Sequence, residues 1–184
     1  LILSGTGSGI FGINTQGEKL QVGGWGYLLG DEGSGYWLGL QAVKYATECF
    51  DKGITSAFYE AILAQMNATI GRDLIEAIYL VEKPVPTVAK LAPLVLSFAE
   101  QDMNAQTIID GAVEALYQQT MIVRQRLQMP SPSFAFAGSI LENDTLVSHQ
   151  LAKKLELSER PSALYRPVIG AGILAQLRMK GKHN

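Results

Sequence analysis

The sequence predicts an α/β domain in which several helices pack on one mixed β-sheet. Three observations carry that reading. Short β-type runs broken by glycines fill the first 22 residues, helical periodicity dominates the middle, and a strand–loop–helix pattern follows near the end. With 184 residues, 47% of them hydrophobic, the chain is long and apolar enough for one domain with its own core. Disorder and a disulfide-held mini-protein are both excluded.

The elements follow in order. Leu1–Ser4 reads as a strand, Gly5-Thr6-Gly7-Ser8 as a turn, and Ile10–Asn14 as a second strand. Gln16-Gly17 is a hairpin turn and Lys19–Val22 a third strand, two of the three forming a hairpin. From Gly23 to Gly35 six glycines are interleaved with Trp25, Tyr27, Asp31 and Glu32, too many for a helix or a regular strand, so the stretch is a structured loop. Ser34 suits the N-cap of a helix to about Cys49, with Leu38, Ala42, Tyr45 and Cys49 on one stripe and Gly53 closing it. Further helical patterns cover about 56–67, 71–82 and 87–101, and Pro93 either kinks the last of these or marks its true start. A long helix is expected from about Asn104 to Gln128, stopped by Pro130 and Pro132. Ser133–Ala137 reads as a short strand ending at Gly138-Ser139, followed by an Asn143-Asp144 turn and a helix from about Thr145 to Leu155. Ala163–Tyr165 is a candidate last strand. Pro167 is placed to open a helix to about Met179, with a polar, frayed tail from Lys180.

Charge narrows the partners. The 15 basic and 17 acidic residues leave a formal net charge of −2 with no long Lys/Arg run, so no electrostatic footprint for nucleic acid or a membrane surface exists. No run of about 18 apolar residues is present to span a bilayer. The single cysteine, Cys49, cannot form an internal disulfide, and the expected compartment is a reducing one, the cytoplasm. The chain begins without Met inside an apolar strand, which reads as a domain cut from a longer polypeptide.

Several residues are set aside on chemical grounds. One cysteine and two separated histidines, His149 and His183, offer no zinc site, and both histidines read as surface positions. Cys49 reads as core, and Asp102, Asp110 and Glu114 as a solvated helix face. Gly7-Ser8-Gly9-Ile10-Phe11-Gly12 matches the dinucleotide fingerprint G-x-G-x-x-G, but its glycines lead into a strand and not into a helix N-terminus, so the match is rejected.

Two glycine segments remain. Ser4-Gly5-Thr6-Gly7-Ser8 is rich in hydroxyls and unshielded backbone N–H groups, which fits a phosphate-facing turn and equally a plain β-hairpin turn. The second runs from Gly23 to Trp37. Its glycines let backbone approach a ligand, an indole can pack on a sugar's apolar face, and a carboxylate ahead of a helix can accept from hydroxyls. The competing reading makes Asp31, Glu32 and Ser34 helix caps and the two tryptophans core, and it is expected to hold for Trp37 and Glu32. Capping does not account for six glycines.

Gly5-Thr6-Gly7-Ser8, then Gly24-Trp25-Gly26, then Gly30-Asp31-Glu32-Gly33-Ser34 with Tyr36-Trp37 resembles the N-acetylglucosamine kinases and their relatives in the BadF/BadG/BcrA/BcrD ATPase family. That family lies in the superfamily of acetate and sugar kinases, heat-shock chaperones and actin. Phe136-Ala137-Gly138-Ser139 is similar to the family's adenosine-motif strand and loop, and Pro167 to Gly172 to its closing segment, so the resemblance covers essentially the whole chain. It implies a ribonuclease H-like, actin-like ATPase lobe: a mixed sheet with helices packed on it. It implies that Thr6 and Gly7 contact the phosphates of ATP and that Ala89, Gly138 and Ser139 border adenine and ribose. It further implies that Ser8, Gly24, Trp25, Gly26 and Asp31 line a sugar pocket. The family's first phosphate loop and general base are absent from these 184 residues, so the resemblance implies a C-terminal lobe, inactive alone, with its N-terminal lobe and a second copy as partners. In the whole enzyme the 6-hydroxyl of an amino sugar would attack the γ-phosphate of ATP with Mg2+. The alternatives are an ATPase activator of a dehydratase or reductase, for which Cys49 alone is a poor cluster ligand, and a non-catalytic sugar-binding regulatory domain.

Overall fold

Three short strands open the chain as an antiparallel meander: β1 (Ile2–Ser4), β2 (Ser8–Ile13) and β3 (Lys19–Gly23). The computed structural model describes residues 1–165 and 167–180. A fourth strand, β4 (Phe136–Ala137), pairs parallel with β1, giving the sheet order β3-β2-β1-β4. The register places Val22 opposite Ile10, Ile10 opposite Ile2 and Ile2 opposite Phe136. Directly opposed residues share a face, so one apolar row crosses all four strands. Ile2, Ile10 and Phe136 in that row are buried, whereas Phe11 and Ile13 on the alternate positions are exposed.

The strand readings need three adjustments. The second strand begins at Ser8 and not at Ile10, because Ser8 and Gly9 already pair with Ser4 and Leu3 and the turn shrinks to Gly5-Thr6-Gly7. The strand expected over Ser133–Ala137 keeps only Phe136 and Ala137, since its partner β1 is itself three residues long. At Ala163–Tyr165 no strand forms; a single bridge joins Ser162 to Phe136.

Helix α1 (Gly35–Lys52) starts where expected, with Ser34 Oγ accepting from Trp37 N–H at 3.1 Å, and closes on the left-handed Gly53. After α2 (Ala57–Gln65), the expected 71–82 helix divides into a 3-10 turn, Gly71–Asp73, and α3 (Leu74–Tyr79). The 87–101 pattern is likewise two helices, α4 (Pro84–Ala89) and α5 (Ala92–Phe98). Pro93 lies in the first turn of α5, where its missing N–H costs nothing, so it marks a true start. Asp102 is not part of a solvated face: its Oδ1 accepts from Asn104 and Ala105 N–H and caps α6 (Met103–Arg126). α7 (Ser139–Glu142), α8 (Leu146–Lys154) and α9 (Pro167–Lys180) follow, the last opening at Pro167 as expected. The tail beyond Lys180 and His183 lie outside the described residues.

α6 lies on the core face of β2 and β3, and α1, α5 and α8 pack around it. Its buried residues Ile109, Leu116 and Val123 join Leu38 of α1, Leu151 of α8 and the strand row in one core. Cys49 is inside that core, as expected. Among the described residues no helix is long and apolar enough to cross a membrane.

Candidate functional site

The turn between β1 and β2 is built against the start of α1. Gly35 N–H donates to Gly5 O at 2.7 Å, Tyr36 N–H to Thr6 O at 3.2 Å, and Trp37 N–H to Ser34 Oγ. The first donors of the helix are therefore spent inside the protein, and the helix end is not itself an anion site. Within the turn, Gly5 N–H donates to Gly7 O at 2.9 Å and Ser8 N–H to a side chain described below. What the turn still offers outward is narrower than its composition suggests. Among the described residues, Thr6 N–H, the Thr6 hydroxyl and Gly7 N–H have no protein acceptor. Thr6 itself is exposed.

Gly138 fixes the neighbouring wall. Its φ is +87°, and a Cβ there would stand 2.3 Å from Ser4 O, so only glycine lets β4 turn this close to β1. Ser139 N consequently lies 3.6 Å from the Cβ position of Gly5. A cleft of about 320 Å³ opens here, lined by Gly5, Thr6, Ala89, Ser139 and Asn143, with α5 behind it. Thr6, Ala89 and Ser139 thus come together from the first turn, from α4 and from the start of α7. Gly138 lies behind Ser139 and Gly7 faces the other way, so neither lines the cleft.

Gly7 faces Asp31. The Asp31 backbone is left-handed, with φ +61°, and that conformation carries its carboxylate back over the first turn. Oδ1 accepts from Ser8 N–H at 3.2 Å, and Oδ2 stands 2.9 Å from where a Cβ on Gly7 would be. Two further bonds lash the loop to the strands: Ser8 Oγ donates to Glu32 O at 2.8 Å and Ser4 Oγ to Gly33 O at 2.7 Å. Ser8 is buried, its N–H and hydroxyl both committed to the loop. Gly24 lies against Gly9, whereas Trp25 is 74% exposed with its Cβ against Gly30. Gly26 borders open space and its carbonyl accepts from Gly30 N–H at 2.9 Å. Ser8 and Asp31 are brought into contact, and Gly24, Trp25 and Gly26 form the outer rim beside them.

The capping explanation of the loop holds for Ser34 alone. Glu32 is no cap: its Oε2 accepts from Gln119 Nε2 of α6 at 3.0 Å, a partner 87 residues away that no sequence pattern flagged. Trp37 is half-buried on the core, as expected, its ring edge against Gly111. Tyr36 meets Tyr27 edge-on with ring centroids 5.3 Å apart. Burial, and then the neighbouring phenols of Tyr27 and Tyr79, push the Tyr36 hydroxyl above the ordinary phenol range. His149 is on the surface, where Asp144 Oδ1 lies 2.5 Å from its Nε2. Among the described residues no three His, Cys, Asp or Glu side chains gather as a metal site.

A model of the BadF/BadG/BcrA/BcrD ATPase family matches residues 1–175. The chain is similar to the N-acetylmuramic acid/N-acetylglucosamine kinase of Clostridium acetobutylicum, 32% identical over 162 residues that cover 86% of this chain and 53% of that protein. It is also similar to the N-acetyl-D-glucosamine kinase of Dictyostelium discoideum, 29% identical over 186 residues that cover 95% of this chain and 58% of that one. The crystal structure of a candidate N-acetylglucosamine kinase from Chromobacterium violaceum aligns with a TM-score of 0.62 at 28% identity, over 83% of this chain and 49% of its own. One from Porphyromonas gingivalis aligns at 0.68 and 23% identity, over 89% and 55%, a likeness of fold alone. The mixed sheet and its helices are the actin-like ATPase fold of these structures. The chain spans about half the length of the curated relatives it matches.

Proposed function

The chain belongs to the BadF/BadG/BcrA/BcrD ATPase family, and on that premise we propose that it is the C-terminal lobe of an ATP-dependent amino-sugar kinase acting at the 6-hydroxyl of an N-acetylglucosamine-type sugar. The observation that carries this reading is a shared edge. The cleft holding Thr6, Ala89 and Ser139 and the loop carrying Asp31 meet at the turn Gly5-Thr6-Gly7, which supports a reading with phosphate on one side and sugar on the other.

In that reading the unpaired donors at Thr6 and Gly7 take phosphate oxygens of ATP, Ala89 and Gly138-Ser139 border its adenosine, and the rim Gly24-Trp25-Gly26 holds the sugar face. Asp31 accepts from sugar hydroxyls. One of its oxygens is already held by Ser8 N–H, so its carboxylate is aimed before the sugar arrives, which favours orientation over proton abstraction. The sugar oxygen forms a bond to the γ-phosphorus, the bond from that phosphorus to the β-bridging oxygen breaks with its electron pair on ADP, and the hydroxyl proton leaves to a base in the N-terminal lobe. Mg2+ would travel with the nucleotide; among the described residues no three His, Cys, Asp or Glu side chains gather to hold it. The reading also places the protein in the cytoplasm, as a homodimer.

The test is made on the full-length protein with ATP and N-acetylglucosamine, following ADP release and identifying the product by phosphorus NMR. A sugar 6-phosphate formed in step with ADP supports the proposal. ATP hydrolysis without sugar phosphate overturns it in favour of an ATPase activator, a role that the burial of Cys49 in the core does not favour. Sugar binding with neither product would leave a regulatory sugar-binding domain.

A further inference from the structure

Gln119 is wedged between the two ends of the glycine loop. Its Nε2 donates to Glu32 Oε2 near the loop's end, and its Oε1 lies 2.5 Å from where a Cβ on Gly23 would stand at the loop's start. Gly23 has φ +71°, a backbone conformation that favours glycine, and the amide lies directly over it. One turn earlier on α6, Leu116 Cγ lies 2.6 Å from the Cβ position of Gly33. The same helix face therefore supports residues 23, 32 and 33 at once.

The orientation of the amide is determined by Glu32. Turned over, it would set its oxygen against a carboxylate oxygen, so the donor must face Glu32 and the acceptor must face Gly23. In that pose Oε1 is buried with no hydrogen-bond donor among the described residues. A desolvated, unpaired amide oxygen is costly, and an apolar side chain would fill the same space without that cost. What the amide supplies at its other end is the hydrogen bond to Glu32, the neighbour of Asp31.

We propose that Gln119 is the positioning residue of the loop: by hydrogen-bonding Glu32 at one end and packing on Gly23 at the other, it sets where Trp25 and Asp31 stand relative to the first turn. The role in sugar recognition rests on the kinase reading above, but the brace itself does not. Its consequence for the loop can be read without any sugar.

The experiment uses three variants of the full-length protein: Gln119→Leu, which deletes the donor; Gln119→Glu, which sets one carboxylate against another; and the exchange Gln119→Glu with Glu32→Gln. The exchange restores one amide–carboxylate bond in the reverse sense. Chymotrypsin cuts after exposed aromatic and leucine residues, of which the loop offers Trp25, Tyr27, Leu28 and Leu29. Each single change is expected to speed cleavage between residues 25 and 29, and to raise the sugar KM, by about tenfold, with the ATP KM and kcat within about twofold. The exchange should return both readouts to within about threefold of the original protein. Unchanged cleavage in both single variants, or an exchange that rescues nothing, overturns the proposal. If cleavage behaves as expected while no sugar is phosphorylated by any form, the brace stands and the kinase reading fails.

Discussion

The carboxylate of Asp31 accepts a hydrogen bond from the backbone N–H of Ser8 at 3.2 Å, and this contact joins the two glycine segments into one site. Ser8 begins β2, and Asp31 sits in a left-handed conformation just before α1. The bond commits one carboxylate oxygen and leaves the other beside Gly7, at the edge where the two proposed ligands would meet.

Asp31→Ala should therefore act twice, removing the acceptor for a sugar hydroxyl and freeing Ser8 N–H. In the full-length protein the sugar KM is expected to rise about a hundredfold, the scale of one or two hydrogen bonds to a charged group. Asp31→Asn keeps an acceptor for Ser8 and tolerates φ > 0, so its increase should be smaller. Steady-state kinetics decide this; an unchanged sugar KM in the alanine variant removes Asp31 from the sugar site.

Thr6→Val keeps the backbone carbonyl that receives Tyr36 N–H and deletes only the outward hydroxyl. Binding of ATP, measured by calorimetry, should weaken by about tenfold and sugar binding by much less. The reverse order would contradict the phosphate assignment.

Gly138→Ala tests the junction of β1 and β4. The added methyl would meet Ser4 O at 2.3 Å on a backbone of positive φ, so a loss of roughly 2–4 kcal/mol is expected in denaturant unfolding. A loss below about 1 kcal/mol would mean that the loop moves freely and that Ser139 is not held beside Gly5.

Tyr36 supplies a pH test. Burial and the phenols of Tyr27 and Tyr79 raise its titration above the unfolded value, so the folded state holds the proton more tightly. That contribution to stability is complete below the unfolded value and is lost as pH rises through the folded one. Tyr36→Phe should remove one late phenolate step from an alkaline absorbance titration, and lessen the fall in stability above about pH 10. A titration curve identical to that of the original protein would refute the assignment.

Much of the fold was legible because the relevant signals are local. Ser34, Gly53 and Pro167 sit at the helix ends they predicted, and the strand character after Gly7 correctly ruled out a dinucleotide loop. Where periodicity runs through a break it misleads: apolar spacing continues across Lys90 and Leu91, so α4 and α5 read as one helix. Asp102 read as solvated because a carboxylate's role as a cap depends on where the helix begins, and α6 begins a residue earlier than its apolar pattern.

From the sequence alone came the class of fold, the position of both glycine segments, and residue types suited to phosphate on one and hydroxyls on the other. Those are properties of backbone freedom and side-chain chemistry, and each resides in a few consecutive residues. Only the tertiary structure decided which groups remain available and which are spent. Ser8 turned inward, Thr6, Ala89 and Ser139 met on one cleft, and Gln119 reached Glu32 across 87 residues. The physical reason is that a hydrogen bond between distant segments depends on how α6 and α1 pack against the sheet. That packing sums many weak apolar contacts across the whole chain, so no single stretch of residues records which donor will find which acceptor.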